Sequence, residues 1–509
     1  MAQMENVNYP DAWNRIVDMT PRREIRKPLC LEVHREGQAA TVYDTGTNRL
    51  LRLDSVTADL LPFWDKPLRK EKIYEVFKGK YTAEQIDLRV KLLKRIEKER
   101  KLLVRRRPTR FVQRFDMRRV REELSHHLDM VVLQVTTACN FRCSYCIYNG
   151  RHRRYHTLDA RLMELGTAKE ALKFFEAHSS RSPELSVNFY GGEPLLNLPV
   201  IRWVIKSLPS IARNRPYSFN ITTNGSLLDN EETVKLLAKA NVFLLVSLDG
   251  PRTYHNARRR TINGEGTFDR IIDNLTLMER IEPEYFHRNV QINSVLDTAN
   301  DLPSLRDFLL EHPLLSQQEA IVSRRTKGES DGASEASSEM REFKQFEQEF
   351  LDQIEHGPRT FDRIMRSAFL NRLQDLHTRC LYDGVSSEES FFKCVAGQRF
   401  MVDPDGWFHV CPNVADDVLI GDVEHGFNFR EIERIMRAYE GMRSSLCPDC
   451  WAFRLCKLCY LHAFVGDKID MENQKKVCLR EKARIAKLLS RYCRVLDRNH
   501  NAFDFALTA

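Results

Sequence analysis

Thirteen cysteines are the residues of this chain best placed to do chemistry. Cys139, Cys143 and Cys146 form one tight run, and Cys394, Cys411, Cys447, Cys450, Cys456, Cys459 and Cys478 crowd a second region. Buried structural cysteines scatter with the core, so clustering of this kind points to thiolates that bind metal. Three thiolates within eight residues can ligate three irons of a four-iron cluster. The fourth iron then lacks a protein ligand and is open to a substrate or cofactor. Zinc is the alternative, with His152 or His156 completing a tetrahedral set. The seven later cysteines suit further clusters or zinc ribbons. Cys30 and Cys493 read as ordinary buried thiols, and Cys380 as a lone buried one.

The elements that must position these thiols fall into three regimes. Before residue 107, strand-like runs Leu31–His34, Ala39–Tyr43 and Leu50–Leu53 precede three helical patterns. The first begins at Ser55 and should end or kink at Pro62. The others cover Lys72–Phe77 and Thr82–Val104. From about residue 129, apolar runs alternate with amphipathic segments. The runs are Val131–Thr136, Leu185–Phe189, Ser218–Thr222, Val242–Ser247, Val290–Val295 and Ala320–Ser323. Such alternation predicts crossover units on a parallel sheet, here six of them, as an open or partial barrel. Chemistry in such folds sits at the C-terminal ends of strands, and the first cysteine run follows the first strand directly. Residues 326–339 form a polar Gly/Ser-rich loop, a helix is expected over Met340–Ile354, and the cysteine-dense regime closes the chain.

The 509 residues hold 42% hydrophobic and 29% charged side chains, which excludes wholesale disorder, collagen and a membrane bundle. Three domains are expected at about 150 residues each. No apolar run of membrane-spanning length and no signal-peptide core occurs, so the cytoplasm is the expected location and no membrane partner is expected. A reducing cytosol argues for metal-bound or catalytic thiolates over disulfides. The net charge of +8 is concentrated in Lys101–Arg121, with nine basic residues against Asp116. Such a run suits RNA or an acidic peptide, or simply a solvated face.

The spacing Cys139-x3-Cys143-x2-Cys146, with Tyr145 before the last cysteine, resembles the signature of radical S-adenosylmethionine enzymes. Four further stretches match in order, each at or just after a strand end. They are Tyr190-Gly191-Gly192-Glu193-Pro194, Thr222-Thr223-Asn224-Gly225, Ser247-Leu248-Asp249-Gly250-Pro251, and Arg259 with Gly264-x-Gly266-Thr267-Phe268-Asp269. The resemblance implies that Tyr145, Gly191, Gly192, Glu193, Thr223, Asn224, Ser247, Asp249 and Arg259 surround the cofactor. Glu193 would face its ammonium group. The later cysteines, with Asp403-Pro404-Asp405-Gly406 and Ile420-Gly421-Asp422, resemble the SPASM domain and its two auxiliary four-iron clusters. There Cys447, Cys450, Cys456 and Cys478 would hold the outer cluster, and Cys394, Cys411 and Cys459 the inner one. Only Lys457-Leu458 separate Cys456 from Cys459, one residue fewer than is usual in that family, which loosens the placement of Cys459. The N-terminal region resembles a RiPP recognition element, which binds the leader of a ribosomally made precursor by strand addition.

The expected architecture is therefore α/β. A winged-helix-like α+β recognition domain (1–107) and a basic connector (108–128) precede a partial (β/α)6 barrel (129–325). A loop and helical bridge (326–379) leads to a cysteine-rich iron–sulfur domain with a C-terminal helix (380–509). The resemblance implies S-adenosylmethionine, three [4Fe-4S] clusters and an external flavodoxin- or ferredoxin-type electron donor. A precursor peptide, rather than nucleic acid, is the expected macromolecular partner. The implied reaction is an oxidative cross-link, thioether or carbon–carbon, made through a 5′-deoxyadenosyl radical. Oxidation of Ser or Cys to formylglycine and RNA modification are the alternatives. No general base is identified; Asp297 and the acids of 328–342 are candidates.

Overall fold

The computed structural model describes residues 30–64, 69–103, 116–146, 148, 158–296, 301–324, 339–354, 363–382, 395–412, 418–459, 462–465 and 468–503. Cys394, Asp297, His152, His156, Arg105–Arg114 and the 326–338 loop lie outside them.

Three antiparallel strands open the described chain: β1 (Cys30–Glu36), β2 (Ala39–Asp44) and β3 (Arg49–Asp54). Helices α1 (Ser55–Trp64), α2 (Lys70–Val76) and α3 (Ala83–Arg95) follow. Together they close a small core of their own, including Val42, Leu60, Leu61, Trp64, Ile86 and Leu93. Thr82 starts α3 with a capping box: its side chain accepts from the Gln85 N–H, and the Gln85 side chain accepts from the Thr82 N–H. The helix turns into a π turn over Ile96–Arg100 and does not run on to Val104. Pro62 lies inside α1 and does not stop it. Only the last two residues follow that proline, and Trp64 holds them: its ring is buried and its Nε1 donates to the Leu103 carbonyl.

After α4 (Met117–His126) comes the parallel array: β4 (Met130–Thr136), β5 (Leu185–Gly191), β6 (Tyr217–Thr223), β7 (Phe243–Ser247), β8 (Val290–Leu296) and β9 (Ala320–Arg324). They pair in that order, all parallel, with helices between them. Strand β4 is almost wholly buried, as expected for a parallel strand covered on both faces. The sheet does not close. Instead β10 (Met401–Val402) joins the outer side of β4 in parallel, at Val132 and Leu133. It continues antiparallel through β11 (Trp407–His409), β12 (Leu419–Asp422) and β13 (Gly426–Phe427).

The start of the cysteine-rich region is thus the far edge of the same ten-stranded sheet, and it shares the barrel's hydrophobic core. Phe400, Phe408 and Phe427 pack around Phe174 of the helix Leu165–His178, with ring centroids 4.8–5.7 Å apart. Beyond it, α5 (Phe429–Leu446) leads to the cysteine cluster and α6 (Met471–Arg498) closes the chain. The last helix packs along β1, and its Asp497 pairs with His34 of β1 and Arg52 of β3.

Candidate functional site

The first cysteine run leaves the end of β4 as a loop, and backbone bonds fix that loop on two sides. Arg142 and Ser144 donate their N–H groups to the carbonyls of Arg260 and Arg258, and Ile262 donates to Asn140. Residues 140–144 are therefore zipped to 258–262. On the other side, Gly192 and Glu193 donate to the carbonyls of Thr136 and Ala138. The approach is close: a Cβ on Gly191 would stand 2.0 Å from the Thr136 oxygen, and one on Gly192 would stand 2.1 Å from that of Ala138. Gly191 also has φ +136°. The paired glycines therefore answer first to the β4 loop, not to a ligand.

Glu193 is fully buried. Its Oε1 accepts from Thr223 Oγ1 at 2.8 Å and from the Leu195 N–H, and its Oε2 accepts from the Asn224 N–H at 2.7 Å. Burial raises its pKa to about 7 against those three donors and Arg259. Asn224 reaches across to Asn140 at 2.8 Å, so the strand-end stretch on β6 also braces the cysteine loop. Ser247 ends β7 and is buried, level with Asn293 of β8.

Asp249 gathers the rest. Tyr145 OH donates to its Oδ2 at 2.5 Å, Arg259 Nε donates to the same oxygen at 3.0 Å, and the Val295 N–H donates to Oδ1. Arg259 is buried, lies over the Tyr145 ring at 5.3 Å, and stands 4.0 Å from Cys143 Sγ. Arg259, expected near the cofactor, is buried against a carboxylate beside the cysteine loop. His255 is a residue that reasoning misses. It is fully buried, its Nδ1 accepts from the Asp249 N–H at 3.3 Å, and its Nε2 faces Thr267 Oγ1 at 2.9 Å. Because Thr267 Oγ1 donates to the Arg259 carbonyl, Nε2 must carry the proton. Burial, together with Arg259, lowers its pKa to about 4, so the ring is neutral. A lone histidine on a short helix carries no sequence signal for this role.

Burial is also the main influence on the thiols. It pushes Cys139 up to about 12 and Cys143 to about 11, and raises Cys146; Arg259 partly offsets the rise at Cys143. Thiols held this way are poor free nucleophiles. They become thiolates when a metal cation arrives.

The C-terminal thiols sit where helices and turns meet. Cys447, Cys450, Cys456 and Cys478 line one cavity of about 260 Å³. Cys411 and Cys459 do not line it; Cys459 Sγ lies 3.9 Å from His462 Nδ1. A single tetrahedral zinc would draw its sulfurs to about 3.8 Å of one another, given Zn–S bonds of about 2.3 Å. Among the described residues no three cysteine sulfurs lie mutually within 4.8 Å. Both donor sets fit a wider, multi-iron group better. Cys380, expected to be buried, is exposed: it follows the end of the helix Asn371–His377, and its carbonyl, not its thiol, is engaged, by Asn48 Nδ2.

Residues 133–301 match the Radical SAM superfamily. The chain carries a radical SAM domain. Beyond it, 23% identity runs over 354 residues with a cysteine-type anaerobic sulfatase-maturating enzyme of Clostridium perfringens (strain 13 / Type A), covering 65% of this chain and 88% of the relative. The Clostridium novyi (strain NT) enzyme of the same description is 28% identical over 160 residues, 31% of this chain. The match spans only 42% of that relative. Among solved structures, native anSMEcpe with bound AdoMet and Cp18Cys peptide superposes with a TM-score of 0.53 at 17% identity, over 75% of this chain and all of that one. That likeness establishes a shared fold around the radical SAM domain. Among the described residues, no helix is long and apolar enough to cross a membrane.

Proposed function

We propose that this chain is a radical SAM peptide maturase. Cys139, Cys143 and Cys146 would hold one four-iron cluster, and Cys447, Cys450, Cys456 and Cys478 an auxiliary one. Cys411, Cys459 and Cys394 are the remaining candidates for an inner auxiliary cluster. With S-adenosylmethionine bound, such a cluster would supply the one-electron chemistry needed to take hydrogen from an unactivated carbon. The chain's own residues then orient and enclose. Glu193, fully buried at the end of β5, would face the ligand's ammonium group. Asp249 holds Tyr145 and Arg259 against the cysteine loop and so fixes that loop's distance from the strand ends. The observation that carries the reading is this convergence: the ends of β5, β6 and β7 and the 258–262 stretch are all bonded to one three-cysteine loop.

For the substrate, oxidative cross-linking of a ribosomally made peptide is the proposal. It is supported by the separate N-terminal module, whose strand β3 pairs only with β2 among the described residues and so offers a sheet edge that suits peptide strand addition. The formylglycine reading has its own support in the sulfatase-maturating relatives. One experiment separates them. Anaerobically purified protein is reduced with S-adenosylmethionine and candidate peptides, and 5′-deoxyadenosine and peptide products are followed by mass spectrometry. A product in which two residues stay joined after proteolysis supports the cross-link. A hydrazide-reactive aldehyde supports formylglycine, and no 5′-deoxyadenosine with any peptide overturns both.

A further inference from the structure

The cavity of Cys447, Cys450, Cys456 and Cys478 contains one feature that the ligand set does not explain. Arg443 lines it and is 2% exposed. Its Nη1 donates to Tyr439 OH at 3.1 Å and to the Leu458 carbonyl at 3.3 Å. Its Nε and Nη2 have no protein partner although both are buried. The guanidinium is clamped between the rings of Tyr439 and Phe453, 5.6 and 5.3 Å from its centre. An arginine is always charged, and a buried cation with open N–H groups is costly unless something anionic meets it. Among the described residues no carboxylate bonds it; Glu481, which also lines the cavity, is taken by Arg484. The groups beside it are the thiols of Cys447 and Cys456.

The local sequence builds this arrangement. Tyr439, Arg443 and Cys447 are spaced four apart across the last turns of α5, so they share one face. Gln474, four residues before Cys478 on α6, is buried too; it donates to Cys478 Sγ at 3.4 Å while its Oε1 is unpartnered. Two helices thus bring two thiols and two polar side chains to one cavity. Net charge and hydrogen bonds to sulfur are what tune the potential of an iron–sulfur cluster.

We infer that Arg443 is the counter-charge and hydrogen-bond donor to an iron–sulfur cluster held in this cavity, and that it raises that cluster's reduction potential. This rests on the reading of these four cysteines as cluster ligands. Arg443 is a positioning residue: it acts through the cluster and touches no substrate.

The test uses full-length protein carrying Cys139→Ala, Cys143→Ala and Cys146→Ala, so that the C-terminal signals stand alone. Iron is counted, and midpoint potentials are read by electron paramagnetic resonance during a redox titration. Arg443→Met and Arg443→Lys are compared in that background. The expected result is unchanged iron with a midpoint shifted to more negative potential in Arg443→Met, and a smaller shift in Arg443→Lys. If Arg443→Met fails to hold iron, Arg443→Lys alone decides, because it keeps the charge and loses the planar fork. Retained iron with an unmoved potential overturns the inference. A background protein without iron overturns the cluster reading itself.

Discussion

The two cysteine regions solve one problem in opposite ways. The first hangs three thiols on a loop at the end of a parallel strand and secures the loop with backbone bonds and a carboxylate-centred network. The second gathers four thiols from the end of α5, the turns after it and the flank of α6, around a buried arginine that no carboxylate bonds among the described residues. A sheet edge gives many polar groups at fixed height, which suits a site that must also receive an organic cofactor. Helix ends give thiols and a cation but few further contacts, which suits a closed group that only exchanges electrons.

Removing a ligand from each region tests that division most severely. Cys143→Ala should lose about four irons and cut 5′-deoxyadenosine to background. Cys450→Ala should lose about as many irons and still form 5′-deoxyadenosine without product. Abolition of cofactor cleavage by both would show that the regions are not separable.

The buried charges differ next. Arg259→Met strands the buried Asp249 and should cost the metal-free protein about 3–5 kcal/mol in urea unfolding. Arg443→Met strands no carboxylate and should cost clearly less. Equal losses would erase the contrast.

Titration belongs to the first region. His255 is neutral in the fold with a pKa near 4, against about 6.5 unfolded. The unfolded chain therefore binds the extra proton first. This stability is fully present above pH 6.5 and is lost as pH falls toward 4, by on the order of 3 kcal/mol. His255→Asn should flatten that part of the profile. For Glu193 the shift is upward, and what acid removes is cofactor binding. Its pKa near 7 means that acid neutralises it before it can meet an ammonium. S-adenosylmethionine affinity should fall about tenfold per unit below pH 7, measured by calorimetry on iron-loaded protein. A flat affinity between pH 6 and 8 would remove Glu193 from the cofactor contact.

The smallest effect lies outside both regions. Thr82→Ala removes the cap of α3 and should cost about 1 kcal/mol. Because the N-terminal module has its own core, cofactor cleavage should not change.

The parallel strands were legible because each is a compact apolar run bounded by turn residues; β4 to β9 fall within two residues of the runs Val131–Thr136 to Ala320–Ser323. Strands β10 to β13 were not. They have two to four residues each, too short for any period, and their place is set by pairing with β4 and with one another. Within the site, the motif residues were visible by type and spacing. The 258–262 zipper was not, since main-chain pairing leaves no trace in side-chain identity. Arg443 had a signal, the four-residue step to Cys447, and it went unread because an arginine in a charged helix looks like surface. Cys380 misled because cysteine is usually buried, while its position was decided by a helix end.

The join between β4 and β10 has a consequence for how the protein is made. Strand β4 carries the first cysteine loop, and its outer partner is synthesised about 270 residues later. At roughly 5–20 residues per second, that edge waits tens of seconds on the ribosome. During that interval a flat, apolar strand is open to wrong partners. Yield in a foreign host should therefore depend on growth temperature and chaperone supply as much as on iron.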